Sequence, residues 1–324
     1  MSERRYDPTT TEWVTFATAR QDRTFLPPDD VCPLDPQRPG GPPTEIDRAD
    51  FEIAVFDNRF PSLLPHPPDP DPVGDDLLQV APSHGRCEVV VYTPDHFGSL
   101  AALGVARVRT LVDVWRDRYR ILGAQSDVRY VMPFENRGAV VGVTLSHPHG
   151  QIYAYPDIPP LPLRELGVAA DHLKQTGKCV QCDVVEREQR QGVRVVAESG
   201  GWIAYVPFWA RFPYELRLVP RAHRSSLTAL SDAESDGLAE LLVRVLAGYD
   251  RLFGFPLPYV MALHQAPTDG GDWEAVSHLH VELAPPNRSA DKLKYLAGSE
   301  LMGGAFITDI APETTAATLR ELCR

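Results

Sequence analysis

The sequence predicts an α+β fold made of two duplicated halves, each an antiparallel sheet carrying helices, and three observations predict it. A segment starting at His96, HFGSLAAL, recurs from His223 as HRSSLTAL. Ser99, Leu100, Ala102 and Leu103 return as Ser226, Leu227, Ala229 and Leu230 at one constant offset. Each copy is preceded by a β-branched, aromatic-rich run and followed by a long stretch with helical spacing. Each half opens on a Cys-x-x hinge and closes on a His-x-His pair: Cys32/Asp35 with His147/His149, then Cys179/Cys182 with His278/His280.

Taken in order, FEIAVF (51–56) and CEVVVY (87–92) read as strands of the first half. Val105, Val108, Val112, Trp115 and Tyr119 then keep helical spacing until Gly123, and a strand follows at about 127–134. In the second half WIAYVPF (202–208) and YELRLV (214–219) are the matching strands. Ser231 and Glu234 form a capping box, and Leu238, Leu241, Leu242, Val245 and Leu246 give the buried stripe of a helix ending before Gly254. A last strand is expected at 258–263. The Pro-rich PDIPPLPL (156–163) is the connector, because proline removes a backbone donor and stiffens the chain. The two units are therefore 1–158 and 164–324. The Pro-rich stretches 27–43 and 61–72 read as surface loops.

Bulk chemistry narrows the function classes. A formal net charge of −12 argues against sequence-independent binding to nucleic acid, although a few local arginines can still hold a small polyanion. No run of 18 apolar residues is present, so no membrane span is expected, and MSERRYDP carries no apolar core of a secretory signal. Five cysteines, two of them in a C-x-x-C, suit metal binding better than a disulfide framework. The reading is a soluble cytoplasmic enzyme.

Zinc favours four N/S ligands, often a C-x-x-C hinge plus two distant histidines. The second half supplies Cys179, Cys182, His223 and His278. Through the repeat, the first half supplies Cys32, Asp35, His96 and His147. Two structural zinc ions per chain are expected, the first with a carboxylate in place of one thiolate. Cys87 and Cys323 fit no ligand pattern and are expected only to pack.

The chemistry sits in Ser146-His147-Pro148-His149-Gly150-Gln151. Residues two apart on a strand share a face, so His147 can bind metal while His149 and Gln151 meet a ligand. Gly150 is expected to let a phosphate approach the backbone, and the Gln151 amide can donate to a phosphate oxygen. A neutral imidazole attacks phosphorus and leaves a labile bond suited to a second transfer. The second-half counterpart, His278-Leu279-His280-Val281, lacks both Gly and Gln, so only the first half is armed.

His-Pro-His-Gly-Gln resembles the signature of the galactose-1-phosphate uridylyltransferase branch of the histidine-triad superfamily. The likeness extends through RRYDPTTTEWVTFATARQDR near the start, VFDNRFPSL (55–63), TPDH (93–96), PFENRGA (133–139), HQAP (264–267) and KYLAGSE (294–300). It implies histidine-triad-like halves and a ping-pong transfer of UMP from UDP-glucose to galactose 1-phosphate through His149. It implies nucleotide and phosphate contacts at Asn58, Glu135, Asn136, Thr144 and Gln151, and a basic pair, Arg20 and Arg23, reaching phosphates across a homodimer interface. Lys294 and Glu300 fall where the family contacts the sugar or its phosphate. Three departures stand out: Asp35 for the usual second cysteine, Arg59 after Asn58 for an acidic residue, and Ser299 for a tyrosine. Some relatives place a second metal on a Glu and three histidines, here Glu165, His264, His278 and His280; the complete cysteine set favours the duplicated zinc site. Two other readings use the same residues: a related nucleotidyltransferase or ADP-sugar phosphorylase on the same histidine, and a zinc-containing nucleotide-binding protein without turnover.

Overall fold

The computed structural model describes residues 2–22, 32–41 and 43–324. Strands β1 (Ser2–Asp7) and β2 (Glu12–Ala17) form a hairpin. β3 (Ala54–Asp57), β4 (Val80–Pro82) and β5 (Arg86–Val91) follow. Helix α1 (Gly104–Gly123) leads to β6 (Tyr130–Arg137) and β7 (His149–Tyr155). Helices α2 (Pro160–Thr176) and α3 (Val180–Gln191) open the second half. β8 (Val195–Ser199), β9 (Trp202–Tyr205), β10 (Leu216–Pro220), α4 (Asp232–Leu252), β11 (Tyr259–His264) and β12 (His280–Ala284) complete its body. The chain ends in the small pair β13 (Asn287–Ser289) and β14 (Lys292–Leu293), then α5 (Gly298–Gly303) and α6 (Pro312–Leu322).

The strands of the two halves join into one nine-stranded sheet of order β3-β5-β7-β6-β11-β12-β10-β9-β8. Every pairing in it is antiparallel, and β6 against β11 is the seam between halves. Outward from that seam the repeat is visible: β6, β7, β5, β3 on one side match β11, β12, β10, β9 on the other. β1, β2 and β4 form a separate three-stranded sheet.

α1 and α4 cover one face of the large sheet. Val108, Leu111, Val112 and Trp115 of α1 and the five-residue stripe of α4 are buried against Val90, Ile152, Met261, Leu263, Val281 and Leu283. Burying one such side chain stabilises by about 1.5–3 kcal/mol, so this layer carries most of the fold's cohesion. Ser231 and Glu234 make the expected reciprocal cap on α4, which contributes about 1 kcal/mol. Val105 departs from its assigned stripe and is 40% exposed, because it lies in the first turn of α1 before the helix meets the core.

The connector is shorter than the sequence suggests. Pro160 to Leu163 already belong to α2, with proline at its first position. There the missing N–H is no loss, since a first-turn amide has no intrahelical acceptor. Among the described residues of 27–43, Cys32 and Leu34 are buried with Ile46 in a small cluster against Val89 and Val91, so this part is an anchored loop. Cys87 and Cys323 are buried and unpaired, as expected of packing residues.

Candidate active site and metal clusters

The large sheet has a second face, opposite α1 and α4, and the chemistry lies there. His149 pairs with Val91 and Gln151 with Val89, while Phe134 of β6 lies opposite Gln151. Strand alternation therefore puts His149, Gln151 and Tyr153 together on the uncovered face. His149 and Gln151 line a cleft of about 110 Å³ together with Arg20, Asn58, Phe60 and Thr144.

The His149 ring is set by one hydrogen bond. Its Nδ1 lies 2.7 Å from the His147 carbonyl oxygen. A carbonyl only accepts, so Nδ1 carries the proton and Nε2 carries the lone pair. Burial holds the imidazole below its ordinary pKa despite that backbone bond. The ring is thus kept neutral, with a nucleophilic nitrogen free. Beside it, Asn58 Nδ2 donates to Gln151 Oε1 at 3.3 Å, which leaves the Gln151 NH₂ group available to a ligand oxygen. Arg20 Nη1 donates to the Tyr153 hydroxyl at 3.0 Å and reaches the cleft from its own chain. Arg59 pairs with Glu45 at 3.3 Å on the cleft wall.

Other assigned residues fall elsewhere. Glu135 does not reach the cleft. It points to the helix-covered face, 5% exposed, where Tyr259 Oη donates to it at 2.8 Å and Tyr92 Oη at 3.2 Å. Burial outweighs the hydrogen bonds from Tyr259 and Tyr92 and the attraction of Arg137, and raises its pKa to about 7. Its neighbour Asn136 alternates to the cleft side of β6, half-buried and outside the cleft lining. Lys294 and Glu300 pair with each other at 3.3 Å in the C-terminal segment, away from the cleft. Arg23 lies outside the described residues.

Gly150 serves a different purpose from the one read in the sequence. A Cβ there would lie 2.1 Å from Tyr92 Oη, behind the sheet, and 3.0 Å from the Phe134 carbonyl oxygen of the adjoining strand. Glycine is required because Tyr92 packs onto the back of the nucleophile strand. Nothing in the sequence marks this, because Tyr92 and Gly150 meet only through the β5–β7 pairing.

Both expected metal clusters assemble. In the first, Asp35 Oδ1 lies 2.9 Å from His96 Nδ1 and 3.0 Å from His147 Nδ1, with Cys32 in the same group. In the second, His278 Nδ1 is 3.5 Å from both Cys179 and Cys182 Sγ, and His223 Nδ1 is 3.6 Å from Cys182 Sγ. The outer nitrogens are fixed alike: His147 Nε2 donates to Thr93 O at 2.7 Å, His278 Nε2 to Pro220 O at 3.0 Å, and His223 Nε2 to Glu274 O at 2.7 Å. A metal-ligating imidazole needs this arrangement, with one nitrogen facing the ion and the other anchored. Cys179 has thiolate character because the Cys182 thiol donates to it.

A third cluster stands where two were expected: Glu165, His264, His280 and Glu282 offer ligand atoms within 4.8 Å of one another. It is not the alternative set of a Glu and three histidines, because His278 turns to the cysteines and Glu282 stands near His264 and His280 instead. The repeat was the available signal, since His280 and Glu282 occupy the places of His149 and Gln151.

Two family models cover the chain. "Galactose-1-phosphate uridyl transferase, N-terminal domain" matches residues 1–159, and the corresponding C-terminal domain matches 165–324. A galactose-1-phosphate uridylyltransferase of Thermotoga maritima is 40% identical across 99% of this chain and 98% of its own length. One from Streptomyces lividans is 38% identical across 99% and 87%. A solved uridylyltransferase structure superposes with a TM-score of 0.87 at 34% identity, covering 99% of this chain and 98% of that one. An Arabidopsis thaliana ADP-glucose phosphorylase shares the fold, with a TM-score of 0.74 at 23% identity and 99% of each chain covered.

Proposed function

The chain belongs to the galactose-1-phosphate uridylyltransferase family, and on that premise we propose that it moves UMP from UDP-glucose to galactose 1-phosphate through a covalent bond to His149. The observation that carries this reading is the imidazole itself: neutral, its Nδ1 proton tied to the His147 carbonyl, its Nε2 free. Nε2 attacks the α-phosphorus of UDP-glucose, the bond from that phosphorus to the bridging oxygen breaks, and glucose 1-phosphate leaves with the electron pair. The ring becomes cationic as the P–N bond forms, and the carbonyl of His147 stabilises the Nδ1–H side. A phosphate oxygen of galactose 1-phosphate then attacks the same phosphorus from solution, the P–N bond breaks, and neutral His149 returns with UDP-galactose as product.

Arg20 supplies positive charge beside the phosphates, and a guanidinium fork matches their oxygens. Gln151 donates its amide to a non-bridging oxygen, oriented by Asn58, and Thr144 lines the wall. Asn136 extends the nucleotide contacts along β6. Arg23, across a homodimer interface, and Lys294 with Glu300 complete the phosphate and sugar end. Zinc fits the two Cys/His clusters by donor type, with His147 binding the ion through Nδ1 two residues before the nucleophile. Each ion would brace the strands bearing its half's His-x-His pair and take no part in phosphoryl chemistry. The halves 1–158 and 164–324 thus divide the work, the first catalytic and the second supporting. Among the described residues no helix is long and apolar enough to cross a membrane.

Incubation with UDP-glucose and, separately, ADP-glucose, followed by intact mass and peptide mapping, tests the proposal. A uridylyl adduct on His149 that galactose 1-phosphate discharges is expected. An adenylyl adduct instead assigns an ADP-sugar reaction to the same nitrogen, and no adduct under turnover removes the covalent mechanism.

A further inference from the structure

The second half keeps the geometry of the catalytic half with its chemistry exchanged. His280 Nδ1 donates to the His278 carbonyl at 2.9 Å, the bond that sets His149 in the first half. Where Val89 lies opposite Gln151, Arg217 lies opposite Glu282. The face that carries the His149 cleft in one half carries a cavity of about 280 Å³ in the other, and the Arg217 guanidinium lines it together with Glu165, His264 and His280.

Glu165, His264, His280 and Glu282 converge there, two imidazoles and two carboxylates, a donor set suited to a divalent ion. Arg217 occupies the same place. It forms an ion pair with Glu282, its Nη2 lies 3.6 Å from Glu165 Oε1, and its guanidinium lies over the Trp209 ring at 5.4 Å from the centroid. Its side chain is only 10% exposed. His264 Nδ1 lies 2.8 Å from Glu165 Oε2. His280 Nε2, buried and without a hydrogen-bond partner, faces Glu165 and Glu282 at 3.9 and 3.7 Å. A metal ion held by both carboxylates would sit beside a fixed, buried positive charge, and the two cations would compete for the same two anions.

We propose that Arg217 is the resident cation of this cluster and holds latent a divalent-metal site formed by Glu165, His264, His280 and Glu282. The second half then carries one metal, on its cysteines, and a side-chain charge in place of another. His280 Nε2 is the ligand left waiting, and removing the guanidinium opens the site.

Cobalt(II) reports this directly. Both other clusters contain a cysteine, so their cobalt shows intense thiolate charge-transfer bands, whereas a site of imidazoles and carboxylates shows only weak visible bands. The full-length wild-type protein, loaded with cobalt and freed of excess, is expected to bind metal only with the thiolate signature. Arg217→Met is expected to take up one more equivalent without that signature, and Arg217→Met/Glu282→Gln to lose it again. Arg217→Lys, which keeps a charge, is expected to behave as wild type. The proposal is overturned if wild type already holds a thiolate-free equivalent that His280→Ala removes. It is equally overturned if Arg217→Met folds with its thiolate sites filled and gains nothing. Should Arg217→Met not fold, the wild-type stoichiometry and the His280→Ala comparison still decide.

Discussion

Substituting Gly150 by alanine probes the least visible part of the active site, the packing behind the nucleophile. The added methyl would sit 2.1 Å from Tyr92 Oη and 3.1 Å from Tyr92 Cζ, with the Phe134 carbonyl oxygen at 3.0 Å. Neither neighbour yields freely. Tyr92 Oη is hydrogen-bonded to the buried Glu135, and Phe134 is backbone of the adjoining strand. Overpacking of this kind costs about 1–3 kcal/mol. Displacing the Tyr92 hydroxyl takes a donor from a buried carboxylate, worth about another 1–3 kcal/mol. A loss on the order of 2–6 kcal/mol in unfolding free energy follows, measured by urea denaturation. Because β7 must bulge toward the cleft, His149 moves with it, and a shift of about 1 Å costs roughly 100-fold in rate. Rapid-quench formation of the uridylyl adduct measures that loss in the chemical step. Tyr92→Phe in the same chain removes the atom at 2.1 Å and is expected to restore at least half of the lost stability, a coupling that a double-mutant cycle isolates. If Gly150→Ala leaves stability and adduct formation intact while raising the KM for UDP-glucose, the glycine serves ligand approach and the packing argument is wrong. Absence of any recovery with Tyr92→Phe would refute it as well.

Three further expectations concern residues on either side of that strand. Glu135, raised to about 7 from a usual value of 4.5, is protonated in the folded protein at mildly acid pH; its contribution to stability is full below about pH 4.5 and is lost as pH rises through about 7, on the order of 3 kcal/mol. Glu135→Gln should therefore flatten the stability profile between pH 5 and 8 in denaturant titrations, and an unchanged slope would count against the assignment. His149→Ala should abolish adduct formation while leaving metal content and the melting transition unchanged; a parallel loss of metal would mean that the ring is structural. Asp35→Cys should tighten metal at the first cluster, read as slower release to a chelator, because a second thiolate replaces a carboxylate.

Much of the site was legible because its ligands are spaced by the duplication. Cys32, Asp35, His96 and His147, and then Cys179, Cys182, His223 and His278, were each readable from the other set. Glu135 was not. It adjoins Asn136 in a motif that resembles a nucleotide-contacting one, and alternation along β6 sends the two side chains to opposite faces, a matter of register that no spacing reveals. Of the third cluster, Glu165, His264 and His280 were named through the resemblance, whereas Glu282 and Arg217 were not: they face the site from β12 and β10, and only the assembled sheet brings them beside Glu165 of α2 and His264 of β11.

By itself, then, the amino-acid order determined the repeat, the strand and helix periods, both Cys/His clusters and the identity of the nucleophile, since each rests on residue type at short or repeated spacing. Tertiary structure alone decided that the halves share one sheet through β6 and β11, that Gly150 yields to Tyr92, and that Arg217 fills the place matching Val89. Those outcomes depend on which face each strand buries and which strands become neighbours, and long-range hydrogen-bond register fixes both.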